Sequence, residues 1–178
     1  RLTKVVETQM CNKDWHEIQY KSVPSVANKK YIKAFKRNDL SRYNKFLEDV
    51  VAGKATIKSA QLYPHEILKE GTFDRQWKTA NAMWESYPKI EHKANILPII
   101  DFSSSMETSA YGKYKCMDIA AGLGIYLAST NKGAYQNLWC NFNTTPEFYK
   151  LSGTTLEEMY KSCNRHNWGG STEIGRAS

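Results

Sequence analysis

Residues 96–105 read ILPIIDFSSS, and this stretch decides the fold class of the second half of the chain. Its nearly continuous apolar run predicts a strand buried on both faces of a parallel sheet, although Pro98 removes one ladder donor and fits best near a sheet edge or a strand start. An amphipathic helix is predicted over about residues 113–129, where Gly122 and Gly124 allow close packing against the sheet. Polar residues follow the strand directly, at the edge where open α/β folds bind their ligands.

Asp101, Ser103 and Ser105 form a D-x-S-x-S motif in the loop after this strand. Residues at i, i+2 and i+4 of a tight loop converge, which here brings together one carboxylate and two hydroxyls. Mg²⁺ prefers hard oxygen ligands of this kind in near-octahedral geometry. A Ser-rich helix start, in which Asp101 accepts backbone N–H bonds, is the structural alternative. A later Gly-rich segment contains Thr172, which offers a third hydroxyl.

The first half of the chain has only helical periodicity. We predict helices over about residues 25–37, 40–52, 64–71 and 74–87, with Ser25 and Asp39 as caps of the first two. After residue 95 the signals are strand, helix, strand, strand and helix: the short strands are predicted over 138–142 and 148–151, and Thr154 with Glu157 fits a capping box for the last helix. The predicted fold class is α + α/β: an N-terminal helical, HEAT-like array over 1–94 and an incomplete three-layer α/β domain over 95–178.

Positive charge is concentrated in the helical region. The chain carries a formal net charge of +7, and residues 1–95 hold 18 Lys and Arg against 11 Asp and Glu, whereas residues 96–178 hold 7 of each sign. The first predicted helix is the most basic, with Lys29, Lys30, Lys33, Lys36 and Arg37. Such a helix is compatible with an anionic partner such as RNA, or with a solvated face that keeps the protein soluble.

Several function classes lack their sequence signals. Cys11, Cys116, Cys140 and Cys163 form no C-x-x-C pair, which favours free, buried thiols in a reducing compartment over a zinc site. No apolar run approaches the roughly 20 residues that cross a bilayer, so we expect a cytoplasmic protein without membrane contact, or a virion protein if the chain is viral. No H-E-x-x-H, G-x-S-x-G or phosphate-binding loop is present. We therefore predict a protein that is not an enzyme. A hydrolase that uses the predicted Mg²⁺ is the least favoured of the functions considered.

The D-x-S-x-S loop followed by Thr172 resembles the metal-ion-dependent adhesion site of von Willebrand factor A domains. The resemblance implies that Asp101, Ser103, Ser105 and Thr172 hold Mg²⁺, or Mn²⁺ or Ca²⁺ in its place. It also implies a Rossmann-like fold and an acidic protein ligand that completes the coordination of the metal. The third-loop Asp of that family has no counterpart in this sequence.

The helical region adds a second resemblance. Residues 20–25, 31–35, 43–53 and 57–68, together with Trp77, are similar to the uncharacterised plant and giant-virus proteins that join a TROVE-like helical region to a von Willebrand A domain. The Ro autoantigens are better-known relatives, in which a ring of helical repeats binds structured and misfolded RNA. The resemblance implies a non-enzymatic binding protein with a Mg²⁺-dependent ligand site, as part of a ribonucleoprotein that binds structured RNA. The alternative is a scaffold or virion-associated protein that binds acidic protein surfaces without RNA.

Overall fold

The computed structural model describes residues 5–90, 94–142 and 145–164. Helices come first along the chain, and a small mixed sheet follows them. The helices are α1 (Val6–Cys11), α2 (Ser25–Asn38), α3 (Leu40–Val51), α4 (Pro64–Thr72), α5 (Trp77–Glu85), α6 (Cys116–Thr130) and α7 (Leu156–Asn164). The strands are β1 (Ile99–Ile100), β2 (Ser109–Tyr111), β3 (Tyr114–Lys115), β4 (Leu138–Asn141) and β5 (Phe148–Lys150). Helices followed by a mixed sheet agree with the predicted α + α/β class at this level of detail.

By its contacts the chain forms two compact units. The first comprises Arg1–Leu62 and Asn81–Pro88, and the second comprises Tyr63–Ala80 and Lys89–Ser178. Helix α4 thus belongs to the same unit as the sheet. The boundary predicted between residues 94 and 95 divides the chain by its sequence patterns and not by its contacts, and it stays a prediction.

The first unit is built around an aromatic cluster. The ring centroids of Tyr20, Phe35 and Tyr43 lie 5.1–5.4 Å apart, and all three side chains are buried. The Tyr20 hydroxyl donates to Asp39 Oδ2 at 2.7 Å, and burial together with this bond raises the pKa of Tyr20 well above its usual value. Asp39 is the N-cap residue of α3, as predicted, but its side chain makes no capping bond and instead contacts Tyr20 and Arg42.

The sheet of the second unit has the order β1–β4–β5. Strand β4 pairs parallel to β1 and antiparallel to β5, so the sheet is mixed rather than wholly parallel. Helix α6 packs against β1, β4 and α4. Trp139 of β4 is buried with its ring centroid 5.7 Å from that of Phe102, which fixes the start of the loop after β1.

Strand β1 is shorter than its apolar run predicts. The ladder covers only Ile99 and Ile100, while the Pro98 carbonyl accepts one bond from Cys140 N at 2.9 Å. The Asn131 side chain bonds both the N–H and the carbonyl of Ile96, so this residue is held by an amide side chain and not by a neighbouring strand. The strand therefore begins after the proline, which cannot donate to a ladder.

The two glycines of α6 face different neighbours. A Cβ at Gly124 would collide with the Ile100 side chain of β1, in agreement with the predicted packing on the sheet. A Cβ at Gly122 would instead lie 2.5 Å from the Cα of His65, so the prediction is wrong for this residue: it packs against the backbone of α4.

The cap of α7 is shifted by one residue from the predicted Thr154–Glu157 pair. Glu158 Oε2 accepts from Thr155 N at 3.1 Å, and Glu158 N donates to Thr155 Oγ1 at 3.3 Å. Hydrogen bonds to the carboxylate from Thr154 N, at 2.8 Å, and from Thr155 N lower the pKa of Glu158. Because Thr154 and Thr155 are adjacent, the sequence alone does not determine which of them forms the capping box.

All four cysteines are free, and only two are buried as predicted. Cys140 and Cys163 are buried, whereas Cys116 is half-buried and Cys11 is exposed. Burial raises the pKa of the Cys163 thiol to about 12, so this thiol stays protonated at neutral pH. Within the described ranges, no helix has the length and apolarity needed to cross a bilayer.

Candidate functional site

The D-x-S-x-S loop lies at the carboxyl end of β1, where the side chains of Ser103 and Ser105 meet. Asp101 Oδ1 accepts a hydrogen bond from Ser103 N at 2.8 Å, and a short 3-10 helix, Ser104–Glu107, follows. Both features are those of the structural alternative, the Ser-rich helix start. The hydroxyl oxygens of Ser103 and Ser105 lie 2.8 Å apart. Ser103 is buried, whereas Asp101 is half-buried and Ser105 is exposed, so the group opens to solvent on one side.

This arrangement fits a small divalent cation. In octahedral Mg²⁺ sites the bonds of about 2.0–2.1 Å place neighbouring ligand oxygens about 2.9 Å apart. The hydroxyl separation of 2.8 Å is that of a hydrogen bond between the two serines, and it is also close to this ligand spacing. Asp101 Oδ2 has no hydrogen-bond partner among the described residues, which leaves one carboxylate oxygen available beside the two hydroxyls.

The carboxylate count of the site is low. No group of three or more His, Cys, Asp or Glu side chains that could hold a metal ion occurs in the part of the chain that the structure describes. A site with Asp101 as its carboxylate leaves a bound divalent cation with a net positive charge, which attracts an acidic group from outside. Thr172, the fourth predicted ligand, lies outside the described residues.

The predicted basic residues divide into two sets on α2. Val26, Lys30, Lys33 and Arg37 recur at spacings of four, three and four residues and are all exposed, so three cations share one exposed stripe. The rise of about 1.5 Å per residue spreads them over about 10 Å. Lys29 and Lys36 flank the stripe and are half-buried. The opposite face carries Asn28, Ile32 and Phe35 into the core.

The hairpin of β2 and β3, which follows the D-x-S-x-S loop, was not predicted from the sequence. Its two strands are joined by Gly112 and Lys113, and Gly112 has a φ of +51°. A Gly-X pair between two aromatic residues is a hairpin signal that could have been recognised. The hairpin places Tyr111 Oη 2.5 Å from His65 Nε2, and the buried His65 ring stacks on the Tyr63 ring.

Comparison with known proteins identifies the family of the chain. The model of a domain of unknown function, DUF2828, matches residues 1–96, which is more than half of the sequence. The chain belongs to the DUF2828 family. The model of a second domain of unknown function, DUF7788, matches residues 95–177 and so contains the D-x-S-x-S loop.

A viral relative matches almost the whole of this DUF2828 chain. It is the uncharacterized protein L728 of Acanthamoeba polyphaga mimivirus, which is 27% identical over 192 aligned positions that cover 96% of this chain and 32% of the viral protein. The chain thus spans about one third of that relative's length. This similarity agrees with the predicted likeness to uncharacterised giant-virus proteins, whereas the likeness to von Willebrand A domains and Ro proteins stays a prediction. No solved structure matches the chain.

Proposed function

We propose that the chain is a non-enzymatic binding protein whose second unit holds a divalent cation at the D-x-S-x-S loop and uses it to bind an acidic partner. The observation that supports this most is the 2.8 Å contact of the Ser103 and Ser105 hydroxyls beside the Asp101 carboxylate. A bound Mg²⁺ would supply a coordination position for a carboxylate of the partner. Asp101 orients the loop, and the two serines hold the hydroxyls at ligand spacing.

We propose for the second unit a von Willebrand A-like fold with a metal-ion-dependent adhesion site. Support comes from the parallel β1–α6–β4 unit, because such units place ligand sites beyond the carboxyl ends of their strands. Thr172 is the fourth proposed ligand, and Mn²⁺ or Ca²⁺ are proposed alternatives to Mg²⁺.

Replacing Ser105 by Ala should weaken cation binding without unfolding the loop. Ser105 is exposed, and its loss removes one ligand hydroxyl, so we expect the Kd for Mn²⁺ to rise about tenfold. Electron paramagnetic resonance of free Mn²⁺ measures this directly, and Mg²⁺ competition gives the Kd for the proposed ion. Ser104→Ala is the matched control, because Ser104 is an exposed serine in the same loop that does not belong to the motif. Equal Kd values for the two variants would contradict the proposal.

A second proposed activity is the binding of structured RNA by the first unit, as part of a Ro-like ribonucleoprotein. The exposed stripe formed by Lys30, Lys33 and Arg37 supports it, since contacts of Lys and Arg to phosphate supply most non-specific affinity for nucleic acid. A scaffold or virion-associated protein that binds acidic protein surfaces without RNA is the alternative.

Replacing Lys30, Lys33 and Arg37 together by Gln should reduce the affinity for an RNA hairpin and flatten its salt dependence. Each lost phosphate contact removes about 0.7–0.9 from the slope of log K against log salt, so we expect a decrease of about 2–3. Fluorescence anisotropy of a labelled hairpin between about 50 and 200 mM salt measures the slope. The matched control replaces Lys45, Lys54 and Lys58, three exposed lysines of the same unit. Equal slopes for the two triple variants, or no binding at the lower salt concentration, would favour the scaffold alternative.

A further inference from the structure

A cavity of about 300 Å³ lies within the second unit, and neither the family descriptions nor the metal proposal gives it a role. Residues of α4, α6 and α7 line it, together with parts of the loop and hairpin that follow β1. We call it the Lys69 cavity. Its volume is at the lower end of the range of sites for small organic ligands.

Lys69 is the buried cation of this cavity. Its side chain is 8% exposed, and its Nζ donates to Asp118 Oδ2 at 2.6 Å and lies 5.3 Å from the centroid of the Phe73 ring. An ammonium group has three N–H donors, and the described residues provide a hydrogen-bond acceptor for one of them. A buried cation is stable only where its donors are satisfied, so the remaining donors call for an acceptor from outside the protein.

One turn further along α4, Thr72 also lines the cavity. Its Oγ1 is shielded from solvent and has no hydrogen-bond partner among the described residues. Buried polar groups in native proteins are normally paired, and one without a partner calls for a bound water, ion or ligand. Because solvent does not reach Thr72 Oγ1, the unused hydrogen-bonding capacity that α4 offers to the cavity itself is that of Lys69.

Two further lysines contribute to the lining. Lys113 Nζ lies 3.0 Å from Asp74 Oδ2 and 3.8 Å from Glu70 Oε1, and Lys115 forms an ion pair with Glu107. Both side chains are about half exposed, so they lie nearer to solvent than Lys69. Three lysines and the carboxylates of Glu107 and Asp118 line the cavity, and each of these lysines is paired with a carboxylate.

The rest of the lining is apolar. Phe102 is buried at one wall, and Met117, Leu68, Ala121 and Tyr160 complete the surface. Ligand sites of this type combine apolar walls with a few polar groups that fix the orientation of the ligand. A phosphate group suits the polar end better than a carboxylate, since its three terminal oxygens can accept bonds from several lysines at once.

We propose that the Lys69 cavity binds a small organic phosphate, whose oxygens accept hydrogen bonds from Lys69 and whose apolar body packs against Phe102 and Met117. Binding at this site needs no metal ion. The proposal therefore does not depend on the D-x-S-x-S loop, and an experiment in EDTA separates the two sites.

Phenyl phosphate is a suitable probe, followed by amide chemical shifts of the whole chain in a buffer with EDTA. We expect saturable shifts in α4 and α6, and several-fold weaker binding of inorganic phosphate, which lacks the apolar body. The variant K69M/D118N removes both charges of the buried pair and keeps an acceptor for Lys115 N, which donates to Asp118 at 2.8 Å. Loss of a charge-assisted bond should raise the Kd at least about tenfold.

Lys150→Gln is the control, since it removes the charge of an exposed lysine in the same unit that does not line the cavity. It should leave the Kd within about twofold of the original, as expected for a screened, distant charge. Three results would overturn the proposal: no saturable shift with phenyl phosphate, unchanged binding by folded K69M/D118N, or an equal loss in Lys150→Gln.

Discussion

Replacing Asp101 by Asn should raise the Kd of the chain for Mg²⁺ and Mn²⁺ by at least about thirtyfold. Opposite unit charges 4 Å apart attract by about 1 kcal/mol even in water, a divalent cation doubles this, and about 1.4 kcal/mol is tenfold in affinity. The Asn side chain keeps an oxygen that can accept the bond from Ser103 N, so the loop retains its geometry while the charge is lost. The loss should exceed that of Ser105→Ala, because a carboxylate contributes charge as well as a ligand atom.

Glu107→Gln provides the control for charge alone. Glu107 is an exposed carboxylate two residues after the motif, where it pairs with Lys115. Its removal should change the Kd by less than about threefold, because exposed charges are screened by salt and solvent. A similar loss in both variants would mean that Asp101 acts through the general field and does not bind the cation.

In the full-length protein, Asp101→Ala should abolish metal-dependent association with an acidic partner. Pull-down with an acidic peptide column in Mg²⁺ and in EDTA tests this, since the proposed contact needs the cation. Binding that persists unchanged in EDTA would count against the metal site, whatever the affinity of the chain for Mn²⁺.

The sequence predicted those parts of the fold that depend on local patterns. Pro64 marks the start of α4, and the loop after β1 holds the Ser103 and Ser105 hydroxyls 2.8 Å apart. The end of β1 was also predicted, since the polar run begins directly after Ile100. In each case the determining residues lie within a few positions of one another.

Features that join distant residues could not be predicted in the same way. Lys69 and Asp118 are separated by 49 positions, and nothing in either local sequence indicates that α4 and α6 meet. The hydrogen bonds of the Asn131 side chain to the Ile96 backbone join residues 35 positions apart. They hold a residue that the apolar run alone would place in the strand. Local periodicity identifies which face of a helix is buried but not which element covers it.

The contact of α4 with α6 leads to the largest expected change in stability. A Cβ at Gly122 would lie 2.5 Å from the Cα and 2.6 Å from the N of His65. Gly122→Ala should lower the free energy of unfolding by about 2–3 kcal/mol, because overpacking a close contact costs more than the helix propensity that Ala adds. Urea unfolding followed by tryptophan fluorescence measures the loss, and the thermal midpoint should fall by roughly 5–10 °C.

Gly124→Ala tests a collision with a side chain, for comparison with the backbone collision expected in Gly122→Ala. Its added methyl would meet the Cδ1 of Ile100, and the double variant G124A/I100V removes that atom, so we expect the second change to restore part of the lost stability. His65→Ala cannot relieve Gly122→Ala in this way, since the colliding atoms belong to the His65 backbone. Rescue of G122A by H65A would show that the helices meet through side chains. Without rescue, the absence of a side chain at Gly122 is what allows α4 to lie against α6, and the Lys69–Asp118 pair joins the same two helices.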